Sequence, residues 1–228
     1  MLIRSAKVRR GCALGLALTG WFALGLQGYL THALVVADGR STAAALGVFF
    51  SYFTILTNLL AAVCSTWLAI VRVISGRLAR LVAAEALYIA VVGIVYSLLL
   101  RHIWAPVGWQ KVADVLLHDV MPVLFVTFWV VFVPRGRLRW VSPAWWLVYP
   151  LAYLGMTLAR GAAGAAYPYP LVDAGVLGFR RVMLNSLGLT VGFVGLGLFF
   201  VGVDKMLSHV SKETWETAPA AELEAEDE

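Results

Sequence analysis

The sequence predicts an all-α, polytopic membrane protein, a bundle of six transmembrane helices with both termini in the cytoplasm. Of its 228 residues 61% are hydrophobic and 14% charged, and the mean hydropathy of +0.83 is too high for a soluble domain. Six apolar runs come close to the ~20 residues that a bilayer crossing needs. Basic residues cluster in alternate links: four precede the first run, three lie between the second and third, and three between the fourth and fifth. Positive charge is kept on the cytoplasmic side, which orients the bundle.

The first span is Gly11–Leu30, preceded by Arg4, Lys7, Arg9 and Arg10. It is longer than a signal-peptide core of ~7–15 residues and no small-x-small cleavage site follows it, so it reads as a helix that stays. Asp38-Gly39-Arg40-Ser41 is a turn, with Ser41 as N-cap of the second span, Ala43–Val71. The third span runs from Leu81 to Leu100 and stops at Arg101-His102; the fourth is Val112–Val133, the fifth Pro143–Ala159 and the sixth Val182–Val203. The long link 161–180, with Tyr167-Pro168-Tyr169-Pro170, suits an interfacial cover, because Tyr sits well at headgroup level and Pro cannot continue a helix. Trp140, Trp145, Trp146 and Tyr149 read as the aromatic belt of the inner interface.

Residues 1–207 form the six-helix domain in this reading, and 208–228 an acidic, disordered cytoplasmic tail. Seven of the thirteen acidic residues lie in the last sixteen positions. The body left behind is strongly basic, which cytoplasmic loops and anionic lipid explain without nucleic acid. Cys12 and Cys64 have no metal-type spacing and read as packing residues. A multi-pass protein of the plasma membrane is expected.

Function enters through the second span. Thr54, Thr57 and Asn58 stand at i, i+3, i+4, so a helix stacks them on one face inside an apolar run. Polar groups at that depth mark a site or a helix-helix contact. Counted from the outer end, Thr54 lies about 15 Å and His118 of the fourth span about 10 Å deep at ~1.5 Å per residue, one layer for both. Gln27, Tyr29, His32, Arg101, His102, Arg160, Asp173 and Asn185 fall in or above the same leaflet, whereas the inner half offers Glu85 and Asp204. The asymmetry predicts a polar cavity toward the outer leaflet.

Several motifs resemble one known family. Tyr52-Phe53-Thr54 with Asn58, Leu117-His118 followed by Pro122, Trp146-Leu147-Val148-Tyr149-Pro150, and Tyr167-Pro168-Tyr169 with Asp173 and Gly175 are similar, in order and spacing, to the androgen-induced-protein family of six-span membrane proteins. The likeness covers about residues 10–205 and is nearest to the family's bacterial branch. It implies an intramembrane hydrolase with Thr54 as nucleophile and His118 as base. The esters that animal members cleave are fatty acid esters of hydroxy fatty acids.

The residue chemistry is compatible with that implication. A Thr hydroxyl needs a base within hydrogen-bond reach before it attacks an acyl carbon, and a partly buried neutral imidazole can take the proton. Asp114, one turn before His118, either orients the ring or is a rim carboxylate beside Lys111. Asn58 is the nearest candidate to steady an oxyanion, with Asn185 and Arg160 in reserve. No cofactor and no metal are required, and the expected partner is a lipid or other amphiphilic acyl substrate in the bilayer. Two other classes stay open: a non-catalytic transporter or lipid-binding protein, and a metal-dependent amidase drawing ligands from His32, His102 and His118. A four-His diheme bundle is excluded, because only three histidines lie near the spans and all are at one side.

Overall fold

The computed structural model describes residues 5–216, and every regular element among them is helical. Helix α1 is Ala6–Ala37, α2 Thr42–Phe49, α3 Phe53–Ile70, α4 Gly76–Val95, α5 Gly108–Val115, α6 Met121–Phe132, α7 Ser142–Trp146, α8 Val148–Ala162, α9 Ala174–Leu177 and α10 Phe179–Glu216. π-helical turns at Tyr96–Leu100 and Leu116–Val120 extend α4 and weld α5 to α6. Among the described residues five helices are long and apolar enough to cross a membrane: Ala6–Ala37, Phe53–Ile70, Gly76–Leu100, Gly108–Phe132 and Phe179–Ser208.

The bundle is centred on α1, α3, α4 and α6. α1 runs along α3, α4 lies against both α3 and α6, and α6 closes the ring against α1. Their shared seam is filled by Leu68, Leu87, Ile89, Met121 and Phe125, all fully buried. Burying a large aliphatic or aromatic side chain in lipid gains little over leaving it in the acyl chains, so close packing and hydrogen bonds must hold such helices together. The packing is tight: a Cβ on Gly20 of α1 would stand 3.1 Å from both Ala62 and Met121.

The basic links gather at one end of this bundle. Arg9 donates to the carbonyls of Val71 and Arg72, both at 2.8 Å, and Arg10 to that of Ala69, so cations cap the C-terminal end of α3. Arg135 lies over the Trp129 ring at 4.3 Å and donates to the Trp129 carbonyl. At the same end the buried Asp204 carboxylate of α10 accepts from the backbone N–H groups of Gly136 and Leu138, at 3.1 and 3.0 Å. Gly136 takes φ +72 there, a left-handed turn that suits glycine.

Two expected spans are not continuous. The run Ala43–Val71 is broken at Phe50–Tyr52, between α2 and α3. Ser41 does cap α2, accepting from Ala44 N at 3.2 Å. The break arises where the Ser51 hydroxyl takes the Val48 carbonyl at 2.6 Å and competes with the helical ladder. Tyr153 of α8 then donates to the freed Ser51 carbonyl at 2.8 Å. The fifth run divides at Leu147 into α7 and the 15-residue α8. Pro150 has no N–H to return to Trp146 four residues back, and the Tyr88 hydroxyl donates to that carbonyl instead at 2.9 Å.

Three further expectations need adjusting. Tyr149 is not a belt residue: its ring stacks inward on Phe53 and Tyr88, with centroids 5.0 and 4.9 Å away. Trp146 is likewise buried, while Trp140 and Trp145 are exposed. α10 continues through Glu216, so 208–216 extend the helix beyond the expected domain end. The rest of the expected tail, 217–228, lies outside the described residues.

Candidate active site

Thr54 is the second residue of α3, in the first turn after the break, where backbone N–H groups have no helical carbonyl to reach. Ile55 N and Leu56 N turn back to the Tyr52 carbonyl at 3.1 and 3.2 Å. Thr54 N instead donates to the Tyr169 hydroxyl at 3.2 Å, and the Thr54 hydroxyl is 3.3 Å from that same oxygen. The Thr54 hydroxyl is also 3.3 Å from Nε2 of His118. The two groups that sequence depth placed in one layer therefore touch, although the helix break puts Thr54 at a helix start rather than a third of the way down a continuous span.

His118 sits inside the π-helical turn Leu116–Val120. Such turns insert one extra residue into a helix and recur at functional sites. The cause here is Pro122, which has no N–H for the His118 carbonyl, so the ladder shifts and Met121 N bonds back to Leu116 O. α4 crosses this turn at Gly93, where a Cβ would stand 3.2 Å from the His118 carbonyl and 3.1 Å from Pro122 Cβ. The second π turn begins at Tyr96, whose ring stacks on the His118 imidazole with centroids 3.9 Å apart and planes at 14°.

The far nitrogen of His118, Nδ1, lies 3.0 Å from the Asp114 carbonyl and 3.1 Å from its carboxylate. A carbonyl only accepts, so Nδ1 carries the proton and Nε2 is left with a lone pair facing Thr54. The Tyr96 hydroxyl donates to the other Asp114 oxygen at 2.5 Å. Of the two readings of Asp114, the ring-orienting geometry is the one present. Asp119 on the neighbouring face pairs with Arg101, whose guanidinium stands 4.9 Å over the Tyr96 ring. For a hydrolytic role of this site, Asp114→Asn is expected to lower turnover by about 10²-fold, less than the ~10⁴ lost where a carboxylate alone fixes the tautomer, because the Asp114 carbonyl still holds Nδ1–H. Steady-state kinetics of the purified variant check this.

The polar face of α3 points inward: Thr54 is 8% exposed, Thr57 and Asn58 0%. Thr57 bonds to the Tyr149 hydroxyl at 3.0 Å. Asn58 does not offer a donor to an oxyanion. Its amide nitrogen donates to the Thr54 and Leu117 carbonyls, at 2.9 and 3.3 Å, which clamps the turn of Thr54 to that of the imidazole. Arg160 and Asn185 are not at the hydroxyl either. Arg160 donates to the Gly47 carbonyl at 3.3 Å and ties α8 to α2, and Asn185 donates to the Leu171 carbonyl at 2.9 Å and holds the long link down.

Sequence reasoning missed Tyr96 and Tyr169. For Tyr96 no pattern signalled a role; Tyr169 is singled out within a link read as a cover and within the Tyr167-Pro168-Tyr169 motif, but with no role of its own. That link is well anchored. Gly161 exists to seat the Tyr167 ring, since any Cβ there would overlap it, and the Asp173 carboxylate caps α9 by accepting from Gly175 N and Val176 N at 2.9 and 3.1 Å. Gly161→Ala is expected to destabilise by about 1–3 kcal/mol through overpacking, read as a lowered melting temperature.

Two cavities meet at Thr54. One, of about 470 Å³, is almost wholly apolar and lies between α4, α8 and α10, with Val91, Leu99, Leu154 and Phe193 on its walls. The other, of about 350 Å³, carries Gln27, Thr31, Gln110, Asp114 and His118. Gln110 donates to Gln27 across it at 2.8 Å. Thr54, Tyr96, Leu100 and Tyr169 line both. The histidines of the metal alternative are not assembled: His32 bonds to Thr42 and His102 is exposed. Among the described residues no three His, Cys, Asp or Glu side chains cluster as a metal-ligand set.

No family model, no curated protein and no solved structure matches the chain.

Proposed function

We propose that the protein is an intramembrane threonine hydrolase that cleaves a lipid ester through an acyl-threonine intermediate. The observation that carries this is the aligned series Thr54 hydroxyl, His118 Nε2, His118 Nδ1–H, Asp114. It is the geometry by which a poor nucleophile is deprotonated as it attacks. Thr54 Oγ1 bonds to the ester carbonyl carbon while Nε2 takes its proton, and the imidazolium returns that proton to the departing alkoxide. Water then enters, gives a proton to Nε2 and attacks the acyl-threonine carbonyl; the acid leaves and Oγ1 recovers its proton. The apolar cavity suits an acyl chain, and the polar one suits the alcohol portion and the water. The motif likeness to androgen-induced proteins makes fatty acid esters of hydroxy fatty acids the first substrates to try.

The bundle in this proposal crosses the plasma membrane six times, α7 and α8 together making the fifth crossing in chain order. Both termini are cytoplasmic, by the positive charge at the Arg9, Arg77 and Arg135 end. Single cysteines placed in the Gly76 link should react with impermeant maleimide only from inside; labelling from outside in intact cells overturns the orientation.

A lipid-binding or transport protein would use the same two cavities but has no need for an imidazole set between a hydroxyl and a carboxylate. Labelling with a fluorophosphonate probe separates the readings. Wild type should label and Thr54→Ala should not; equal labelling of both removes Thr54 as nucleophile.

A further inference from the structure

We propose that Tyr169 is the oxyanion donor of this site, an assignment that rests on the threonine-hydrolase reading above. The argument begins with hydrogen-bond direction. His118 Nε2 has only a lone pair to offer, so the Thr54 O–H points at it. The Thr54 N–H is a donor and nothing else, so at 3.2 Å the Tyr169 oxygen accepts from it. The phenol's own hydrogen is then free to be given, and the remaining acceptor within reach is Thr54 Oγ1 at 3.3 Å. The sequence from backbone N–H to phenol to hydroxyl to imidazole has one donor and one acceptor at every step.

That direction matters when the hydroxyl reacts. As Oγ1 bonds to an acyl carbon it becomes an ester-like oxygen and a weaker acceptor, while negative charge gathers on the former carbonyl oxygen attached to the same carbon. A phenol O–H already aimed at Oγ1 reaches the new oxyanion by rotating about its C–O bond, with no movement of the link. The proton stays on Tyr169 throughout, so the donor stabilises charge without entering the proton balance. Burial pushes the Tyr169 phenol up to about 12, against the pull of its Thr54 hydrogen bonds, so it keeps its hydrogen across the working pH range.

The ring is held for this purpose. Tyr52 packs edge-on against it with centroids 5.6 Å apart, and Asn185 fixes Leu171 just beyond. None of the three polar residues nominated from sequence can do the same work: the Asn58 and Asn185 amides and the Arg160 guanidinium all donate to backbone carbonyls. A helix start also lends partial positive charge to the same spot.

The test uses the full chain in lipid nanodiscs with p-nitrophenyl decanoate as substrate. Wild type, Thr54→Ala, Tyr169→Phe and a chain carrying 3,5-difluorotyrosine in place of Tyr169 are compared. Tyr169→Phe should lose about 10²–10³-fold in kcat with KM little changed, the scale of one deleted oxyanion donor, and with a lowered melting temperature, because the Thr54 N–H loses its acceptor. The fluorinated ring keeps the shape but ionises at lower pH, and a phenolate cannot donate. Its kcat should therefore match wild type in acid and fall at a lower pH than wild type does. This readout stands even where Tyr169→Phe misfolds. Tyr169→Phe at the wild-type kcat, or an alkaline limb that fluorination leaves in place, overturns the assignment. If Thr54→Ala turns over as fast as wild type, the hydrolase reading has failed, and the Tyr169 assignment falls with it for that separate reason.

Discussion

Thr54→Ala is expected to reduce ester turnover by about 10⁵–10⁶-fold, the scale seen when the nucleophile of a hydrolytic triad is deleted. It should also abolish fluorophosphonate labelling. The fold should survive, because Thr54 is a small side chain at a helix start and the clamp that joins its turn to the imidazole uses its backbone carbonyl, through Asn58. Thr54→Ser keeps the hydroxyl within reach of Nε2 and should retain measurable activity. Kinetics on nanodisc-reconstituted protein, with the melting temperature as control, check each variant. Residual wild-type turnover in the alanine variant would remove the nucleophile assignment.

His118→Ala is expected to be as damaging as the loss of Thr54, and the double variant no slower than either single one. Nucleophile and base act as a unit: a hydroxyl without its proton acceptor and an imidazole without its hydroxyl are equally idle. A full double-mutant cycle measures this. Additive losses would mean that the two residues contribute by separate routes and that their 3.3 Å approach is only a helix-bridging contact. His118→Ala also removes the ring stacked on Tyr96, so some loss of stability accompanies it.

The parts of this molecule that were legible in the sequence are those that depend on local period and composition. Long apolar runs, the Ser41 cap, basic links and the i, i+3, i+4 face of Thr54, Thr57 and Asn58 all follow from rules that act within a few residues. Depth along a span put Thr54 and His118 in one layer, because it is simple arithmetic; that the two pair was implied by the motif likeness. What periodicity could not give is where the backbone departs from an ideal helix. Pro122 and Pro150 carried the signal, since each deletes an N–H owed to His118 or Trp146, but whether a missing bond yields a kink, a π turn or a break depends on what comes to the orphaned carbonyl. For Trp146 that group is a tyrosine from another helix. Tyr169 reaches Thr54 across 115 residues of chain, and no local pattern encodes such a partnership. Asn58 was misjudged for a related reason: an amide with two donors is read as available until the carbonyls that take them are known.

The distribution of the site along the chain also fixes when it comes into being. Membrane proteins are made from the N-terminus, and early segments pack before later ones exist. Thr54, His118, Asp114 and Tyr96 all belong to the part of the chain that ends with α6. Tyr169 and the α8 and α10 walls of the larger cavity arrive last. Under the proposed hydrolase function, the parts that seat an acyl chain would be the last to be inserted.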